Sequence, residues 1–341
     1  MGKTIRSGLV SLIVPNYNGE EYLKDFIESV RKQSYENWEL FIVDDDSNDE
    51  SKNIVNSFSE IDHRIKLIPC GNLEKGACAR RNQGLDMSEG EFICFFDSDD
   101  LLPYNTLEIR IQELQANPNL DFVVTPAITF RKTPYDLNKL ALGLPIFKDD
   151  LAMFLKRYRL PFGVWTNTYR HEFLLKNNIR WDNKLASMQD SDLNIRTLLL
   201  SPNYKYSDNQ TPGYFWRVGA NKNSITQTIK SKRNLESQLY FYSKLNELFK
   251  DTEYSKNVRR FGLTLLQRFA LLQSDIYPEI LINSLGRKIK YSLLKQIYSI
   301  SFFKKLHPLI NLIFSPIAII DEYIFLFKNR ASCKYYIKKY S

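Results

Sequence analysis

Apolar positions along the first third of the chain keep two alternating rhythms. Val10 to Pro15 is a continuous apolar run broken only by Ser11, and Glu20 to Gln33 places Leu23, Phe26, Ile27 and Val30 on one helical face. Trp38 to Val43 is again mostly apolar, Ser51 to Phe58 is short and helical, and Ile65 to Ile68 reads as a third strand. Gly76 to Met87 then predicts a helix and Glu91 to Phe96 a fourth strand. Pro103 to Ala116 predicts a further helix, with Pro103 in its first turn, where a missing N–H does no harm. Phe122 to Phe130 reads as one more strand. Strands alternating with helices at this spacing predict an α/β fold, a mostly parallel sheet with helices on both faces.

The rhythm then changes. Tyr135 to Asp150 is irregular, short elements resume up to about Tyr206, and Tyr214 to Val218 suits a last strand. Beyond Ser231 the pattern is wholly helical, over Asn234–Phe249, Tyr254–Leu272, Leu285–Ile300 and from Phe302 onward. Charge changes in the same region. Residues 228–341 hold 20 Lys and Arg against 8 Asp and Glu, whereas residues 1–227 hold 27 against 31. The expected organisation is therefore an α/β domain at 1–227 and a basic, all-helical region at 228–341.

Composition narrows the classes. With 341 residues, 43% hydrophobic and 25% charged, the chain can bury a sizeable core. Cys70, Cys78, Cys94 and Cys333 form no CxxC pair and predict reduced thiols; His63, His171 and His307 show no metal-ligand spacing. A zinc enzyme and a histidine-based nucleophile triad are both disfavoured. Met1 to Gly8 has a basic start without an apolar stretch of leader length, so no cleaved signal is expected.

The densest chemistry lies at Glu91-Phe-Ile-Cys-Phe-Phe-Asp-Ser-Asp-Asp-Leu-Leu-Pro103, where a strand ends in Asp97, Asp99 and Asp100. Carboxylates at a strand tip repel one another and lose solvation, and a hard divalent cation with oxygen ligands would hold them together. The carboxyl end of a strand is also where open α/β sheets bind ligands. A polar turn with Asp99 or Asp100 as a helix cap is the plainer alternative.

Four other stretches bear on this one. The loop after the first strand, Pro15-Asn-Tyr-Asn-Gly-Glu-Glu21, is neither GxGxxG nor a P-loop, so dehydrogenase and P-loop chemistry are absent. Asp44-Asp-Asp-Ser-Asn-Asp49 closes the second strand, where a carboxylate can accept from a nucleobase N–H or simply form an Asx turn. Gly76 to Gly84 opens a helix with small residues and then presents Arg80 and Arg81, which could neutralise phosphate. Farther on, Gln189-Asp-Ser-Asp192 marks a helix start, where a carboxylate can cap or serve as a general base.

Taken in order, Val14-Pro-Asn-Tyr-Asn18 with Glu21, Val43-Asp-Asp-Asp-Ser47, Ala79-Arg-Arg-Asn-Gln-Gly84, Phe95-Phe-Asp-Ser-Asp-Asp100 and Gln189-Asp190 resemble the family-two inverting glycosyltransferases. The resemblance covers residues 8–227 and implies the GT-A fold, a Rossmann-like nucleotide-sugar-binding sheet. It implies that Asp45 or Asp44 contacts the nucleobase and that Pro15 to Tyr17 line the base pocket, with Glu21 nearby. It also implies that Arg81 lies near the phosphates, and that Asp97, Ser98 and Asp99 form the Asp-x-Asp. Asp97 and Asp99 would hold Mn²⁺ or Mg²⁺, and Asp190 would be the catalytic base, with Asp192 its rival. The family often has Gly where Asp46 stands and Glu where Gln189 stands.

The implied partners are a nucleotide-sugar donor, UDP favoured, and a lipid-linked or oligosaccharide acceptor, as in bacterial surface-polysaccharide assembly. Tyr214-Phe-Trp-Arg217 is not the Gln-x-x-Arg-Trp of processive synthases, which argues for one sugar per encounter. A catalytically silent adaptor is the competing reading. In the tail, the uncharged run Leu306 to Ile320 is interrupted by Pro308 and Pro316 and is too short to span a bilayer. Flanked by lysines, residues 300–341 suit peripheral contact with an anionic inner leaflet at the cytoplasmic face, or an oligomer interface; no nucleic-acid motif accompanies them.

Overall fold

The computed structural model describes residues 4–71, 74–137, 139–155, 160–209, 211–219 and 231–271. The expected Leu285–Ile300 helix, the tail from Phe302 and Cys333 lie outside them. In the first part the order is β1 (Arg6–Asn16), α1 (Glu20–Arg31), β2 (Trp38–Asp44), α2 (Ser51–Ile61), β3 (Ile65–Pro69), α3 (Ala77–Met87), β4 (Gly90–Phe95) and α4 (Thr106–Ala116). Every residue of β2 is buried, odd and even positions alike, so both faces of the sheet are covered. Helix α1 buries Leu23, Phe26, Ile27 and Val30, the face its spacing predicts. Helix α3 comes close to the sheet because Gly84 faces it; a Cβ there would stand 2.5 Å from Ile13 Cγ2. Cys78 and Cys94 are buried free thiols and Cys70 is half-buried.

The rest of the sheet is mixed. Continuing along the chain come β5 (Phe122–Val124), β6 (Ala127–Phe130), β7 (Lys139–Leu142), α5 (Asp150–Phe154), a 3₁₀ turn (Val164–Thr166) and β8 (Asn167–Arg170). Then follow α6 (His171–Lys176), α7 (Gln189–Leu198), β9 (Tyr204–Tyr206) and β10 (Tyr214–Arg217). The large sheet runs β3-β2-β1-β4-β8-β5-β9, with its first four strands parallel and β8 antiparallel to both neighbours. A second sheet runs β10-β6-β7. The chain leaves β1 toward β2 and β3 and returns on the other side at β4. The β1–β4 boundary is therefore a topological switch point, with the ligand crevice at its carboxyl end.

Three sequence expectations differ from the structure. Phe122–Phe130 is two strands, because Pro126 lacks an N–H and Thr125 instead donates to Thr166 O at 3.0 Å, so the chain passes from one sheet to the other there. Part of the irregular stretch forms β7, paired antiparallel with β6. Helix α4 begins at Thr106 rather than Pro103, whose carbonyl accepts the Thr106 N–H at 3.1 Å.

The chain divides into two compact units, Met1–Lys148 with Leu160–Ala220, and Asp149–Arg159 with Asn221–Ser341. The second unit contains α5, α8 (Lys232–Phe249) and α9 (Ser255–Leu271). Phe241 and Tyr242 of α8 pack on Phe261 of α9, with ring centroids 5.8 and 6.3 Å apart. Asn257 donates to Ala152 O at 3.3 Å, which ties α5 to this unit. No helix among the described residues is long and apolar enough to cross a membrane.

Candidate active site

The tips of β1, β2 and β4 converge at the switch point. Asn16 and Asp44 are register partners on adjacent strands. Asp44 is buried, and its oxygens accept from Asn16 Nδ2 at 3.0 Å, Ser47 N at 2.8 Å and Ser47 Oγ at 2.6 Å. Asp44 therefore ties the strand tips together. Asp45 lies one residue beyond, and its Oδ2 accepts the Gly76 N–H at 2.9 Å while Oδ1 stands 3.3 Å from Arg80 Nε. Burial pushes the Asp45 carboxyl up, against the pull of Arg80 and the Gly76 amide. Asp46 is exposed with φ +69° and is flanked by Lys75 at 3.3 Å and Lys52 at 3.6 Å. At the end of β1 Pro15 is half-buried, in the loop that follows Tyr17 is 57% exposed, and Glu21 is exposed on the first turn of α1. Gly19 has no room for a side chain, since a Cβ would meet Asn16 Oδ1 at 2.3 Å and Ser98 Oγ at 3.4 Å. That close approach sets the β1 loop against the β4 tip.

At the β4 tip, Asp97 accepts from Arg81 at 2.7 Å. The Arg81 guanidinium is almost wholly buried, lies over the Trp181 ring at 4.4 Å, and donates its other arm to Gln189 Oε1 at 2.9 Å. Burial and the neighbouring Asp97 push the Asp99 carboxyl up to about 6. Asp100 is not a helix cap: it is 1% exposed, accepts from Tyr214 Oη at 2.7 Å and from the Arg217 N–H at 2.6 Å, and stands well before α4. Burial raises its carboxyl far above the usual range.

The second half of the site comes from α7. Met188 precedes this helix in a left-handed conformation, φ +62°, which a non-glycine residue adopts at a cost of about 1 kcal/mol. The turn sets Gln189 on Arg81 and places Asp190 where burial pushes its carboxyl up to about 6, with Arg81 pulling it down and Asp97 pushing it up. Asp192 points elsewhere. It is buried and paired with Arg196 at 2.8 Å, whose guanidinium also donates to Arg180 O at 2.7 Å.

The structure thus joins Asp97 to Arg81, with Asp99 beside it and Asp190 next to the Gln189 that Arg81 also binds, while Ser98 approaches Gly19 of the β1 loop and Asp45 lies at the β2 tip. Sequence reasoning gave no role at this site to Trp181, Tyr214 and Arg217; it named Arg80 only beside Arg81 as a phosphate ligand, and Asn16 only within the Pro15 to Tyr17 base-pocket segment. Among the described residues no three His, Cys, Asp or Glu form a metal-binding group. Asp97 and Asp99 offer hard oxygen donors only, and burial and Asp97 together push the Asp99 carboxyl up against the pull of Arg217. This donor set fits a Mg²⁺- or Mn²⁺-type cation whose remaining ligands come from a bound phosphate or water.

Residues 11–178 match the family described as glycosyl transferase family 2. The UDP-Glc:alpha-D-GlcNAc-diphosphoundecaprenol beta-1,3-glucosyltransferase WfgD of Escherichia coli is 45% identical over 115 residues, 34% of this chain and 44% of that protein. The minor teichoic acid biosynthesis protein GgaB of Bacillus subtilis (strain 168) is 29% identical over 253 residues, 71% of this chain and 27% of its own length. The matches thus span less than half of either relative. Among solved structures, S. aureus TarS 1–349 in complex with UDP-GlcNAc superposes with TM-score 0.52 at 20% identity, covering 85% of this chain and 91% of that one. Mannosyltransferase PcManGT from Pyrobaculum calidifontis, in complex with GDP-Man and Mn²⁺, gives TM-score 0.54 at 15% identity, covering 85% and 84%. At these identities the likeness shows the shared fold, the GT-A arrangement implied by the sequence resemblance.

Proposed function

Because the chain carries a glycosyltransferase family 2 domain at residues 11–178, we propose that it transfers one sugar, with inversion, from a nucleotide-sugar to a hydroxyl of a lipid-linked or glycan acceptor in bacterial surface-polysaccharide assembly. The observation that carries this reading is Arg81. One buried guanidinium joins Asp97 of the strand tip to Gln189, the residue before Asp190, so the diphosphate side and the acceptor side share a single rigid link.

On this reading Asp45 accepts from the nucleobase, UDP favoured, with Pro15 and Tyr17 lining the base and Glu21 near the loop. Asp44 holds the loop, because its oxygens are already engaged. Arg81 and Ser98 face the diphosphate, and Asp97 and Asp99 hold a divalent cation, which supplies neutralising charge to the leaving group when bound. Asp190 takes the proton of the acceptor hydroxyl as that oxygen bonds to the anomeric carbon. The carbon–oxygen bond to the diphosphate breaks on the opposite face, and its electron pair leaves with the nucleoside diphosphate. A carboxyl near 6 is ionised at neutral pH yet more basic than an ordinary aspartate, which suits this task.

The helical unit and residues 300–341 are proposed to keep the enzyme at the cytoplasmic face of the membrane, or to join copies. The sequence asymmetry supports this, since the basic excess lies beyond residue 228. The test is transfer from a panel of UDP- and GDP-sugars with Mn²⁺, with the product's anomeric configuration read by NMR. Retention of configuration, or full activity of Asp190→Asn, would overturn the proposal.

A further inference from the structure

Four of the five residues from Asp97 to Leu101 are bound to a strand more than a hundred positions away. The Asp97 N–H donates to Tyr214 Oη at 3.3 Å, and the same hydroxyl donates to Asp100 Oδ2 at 2.7 Å. Asp100 Oδ1 accepts the Arg217 N–H at 2.6 Å. Arg217 Nε donates to Asp99 O at 2.7 Å, and Leu101 pairs with Phe215 through backbone bonds of 3.1 and 3.0 Å. Only Ser98 has no bond to β10 in this set. The Arg217 guanidinium is held in turn between the Tyr22 and Phe130 rings, 4.4 Å from each centroid, and is 7% exposed as a residue.

The root of β10 is equally fixed. Gly213 O accepts from Arg110 at 3.0 Å and from Thr106 Oγ1 at 3.2 Å, and Gly213 N donates to Pro126 O at 2.7 Å. A Cβ at Gly213 would stand 2.5 Å from Thr125 Oγ1, so nothing but glycine lets the strand start there. Arg110 is fully buried and donates to the carbonyls of Asn167, Trp165 and Gly213. The strand is thus a rigid rail, and the acid loop is fastened to it.

Two carboxylates separated by one residue repel, and a free loop would turn them apart. We infer that Tyr214 and Arg217 are positioning residues: they fix the backbone of Asp97 and Asp99 from behind, so that both carboxylates face the crevice before any cation arrives. This deepens the reading given above and rests on it for the identity of the ligands. Asp97 is also held by Arg81 from the front, so the rail matters most for Asp99, whose carbonyl Arg217 grips directly.

The experiment uses the full chain and two variants, Tyr214→Phe and Arg217→Lys. The first removes one hydroxyl and keeps the Trp165 and Phe96 stacks at 4.8 and 5.5 Å; the second keeps the charge and loses the Nε bond. Mn²⁺ binding in the presence of UDP or GDP is followed by electron paramagnetic resonance, and amide hydrogen exchange is read over residues 97–101. The expected result is about tenfold weaker Mn²⁺ binding in each variant, with faster exchange at Asp97 and Leu101 and a much smaller change in nucleotide binding without metal. Unchanged Mn²⁺ affinity, with only a lowered melting temperature, overturns the inference. A wild-type chain that binds neither nucleotide with Mn²⁺ overturns the functional reading instead. Slow exchange at 97–101 in both variants then still overturns the rail, and fast exchange supports it.

Discussion

Two halves of the first unit handle charge differently. Up to Ala116 the chain is a run of parallel strands and helices, and its acids sit at strand tips with partners on the adjoining strand or helix: Asp44 with Asn16, Asp45 with Gly76, Asp97 with Arg81. From Leu120 to Arg217 the strands are short and mixed, and the groups that matter reach across the fold: Tyr214 to Asp100, Arg217 to Asp99, and the Trp165 and Gly213 carbonyls to Arg110. The first half supplies the reacting and binding groups, and the second supplies one carboxylate, Asp190, and the frame that holds the others. A substitution in the first half should therefore change chemistry more than stability. In the frame the order should reverse.

Asp190→Asn tests this most severely, because Asp190 belongs to the second half by position and to the first by task. Loss of a general base should lower kcat by about 10³-fold. Stability should move the other way. The folded carboxyl, near 6, lies above the ordinary aspartate value, so the folded chain holds this proton more tightly than the unfolded chain does. Ionisation at neutral pH then weighs against folding, and asparagine removes that cost, raising stability at pH 7.5 by about 1–2 kcal/mol. The gain should shrink as pH falls through 6 toward the ordinary value. Turnover and thermal melting at two pH values check both halves of the statement, and a variant that is both inactive and less stable would assign Asp190 to the frame.

Arg81→Lys comes next. It keeps a charge but loses the fork that reaches Asp97 and Gln189 together, and kcat/KM for the nucleotide-sugar should fall about 10²-fold. The melting temperature should drop as well, because burial of an ammonium leaves Gln189 Oε1 without its donor. Steady-state kinetics with the donor varied separates this from Asp190→Asn, which should leave donor KM near that of the wild type.

How far the site could be read from sequence follows the same division. The strand tips were legible, because an apolar run ending in Asp97, Asp99 and Asp100 shows its own electrostatic problem. The helix start at Gln189 was legible from its acids and the apolar Leu193 and Ile195. The frame was not. Nothing local to Tyr214 shows that its hydroxyl meets a carboxylate 114 residues earlier, and nothing local to Asp100 distinguishes a cap from a buried clamp. Arg80 and Arg81 were visible as candidate phosphate ligands, but their burial was not, because the acids that draw them inward stand at other strand tips. Pro126 was visible, but not that the chain changes sheets there.

Wild-type kcat/KM gives the third test. If Asp190 must be ionised, the acid limb should bend near pH 6 and fall at least about tenfold per pH step below it, more steeply where Asp99, also near 6, must ionise as well. A bend at the ordinary aspartate value would mean that the carboxyl is solvated during turnover. Asp45→Asn should be milder. It weakens one acceptor at the nucleobase side, so donor KM should rise about tenfold with kcat little changed, and selectivity between UDP- and GDP-sugars should narrow.

Asp192→Asn should have the smallest effect and draws the finest line, since Asp190 and Asp192 stand two residues apart in one helical turn. Side chains so spaced project about 200° apart around a helix, so only one of the two can face the crevice. Asp192 is held by Arg196, and through Arg196 by the carbonyl of Arg180, which makes it a brace of the α7 helix. The substitution keeps shape and one acceptor, so kcat should stay within about threefold while stability falls by about 1 kcal/mol. Kinetics and chemical denaturation on the same preparation decide it. A loss of kcat comparable to that of Asp190→Asn would transfer the base to Asp192 and leave Asp190 as a spectator to Arg81.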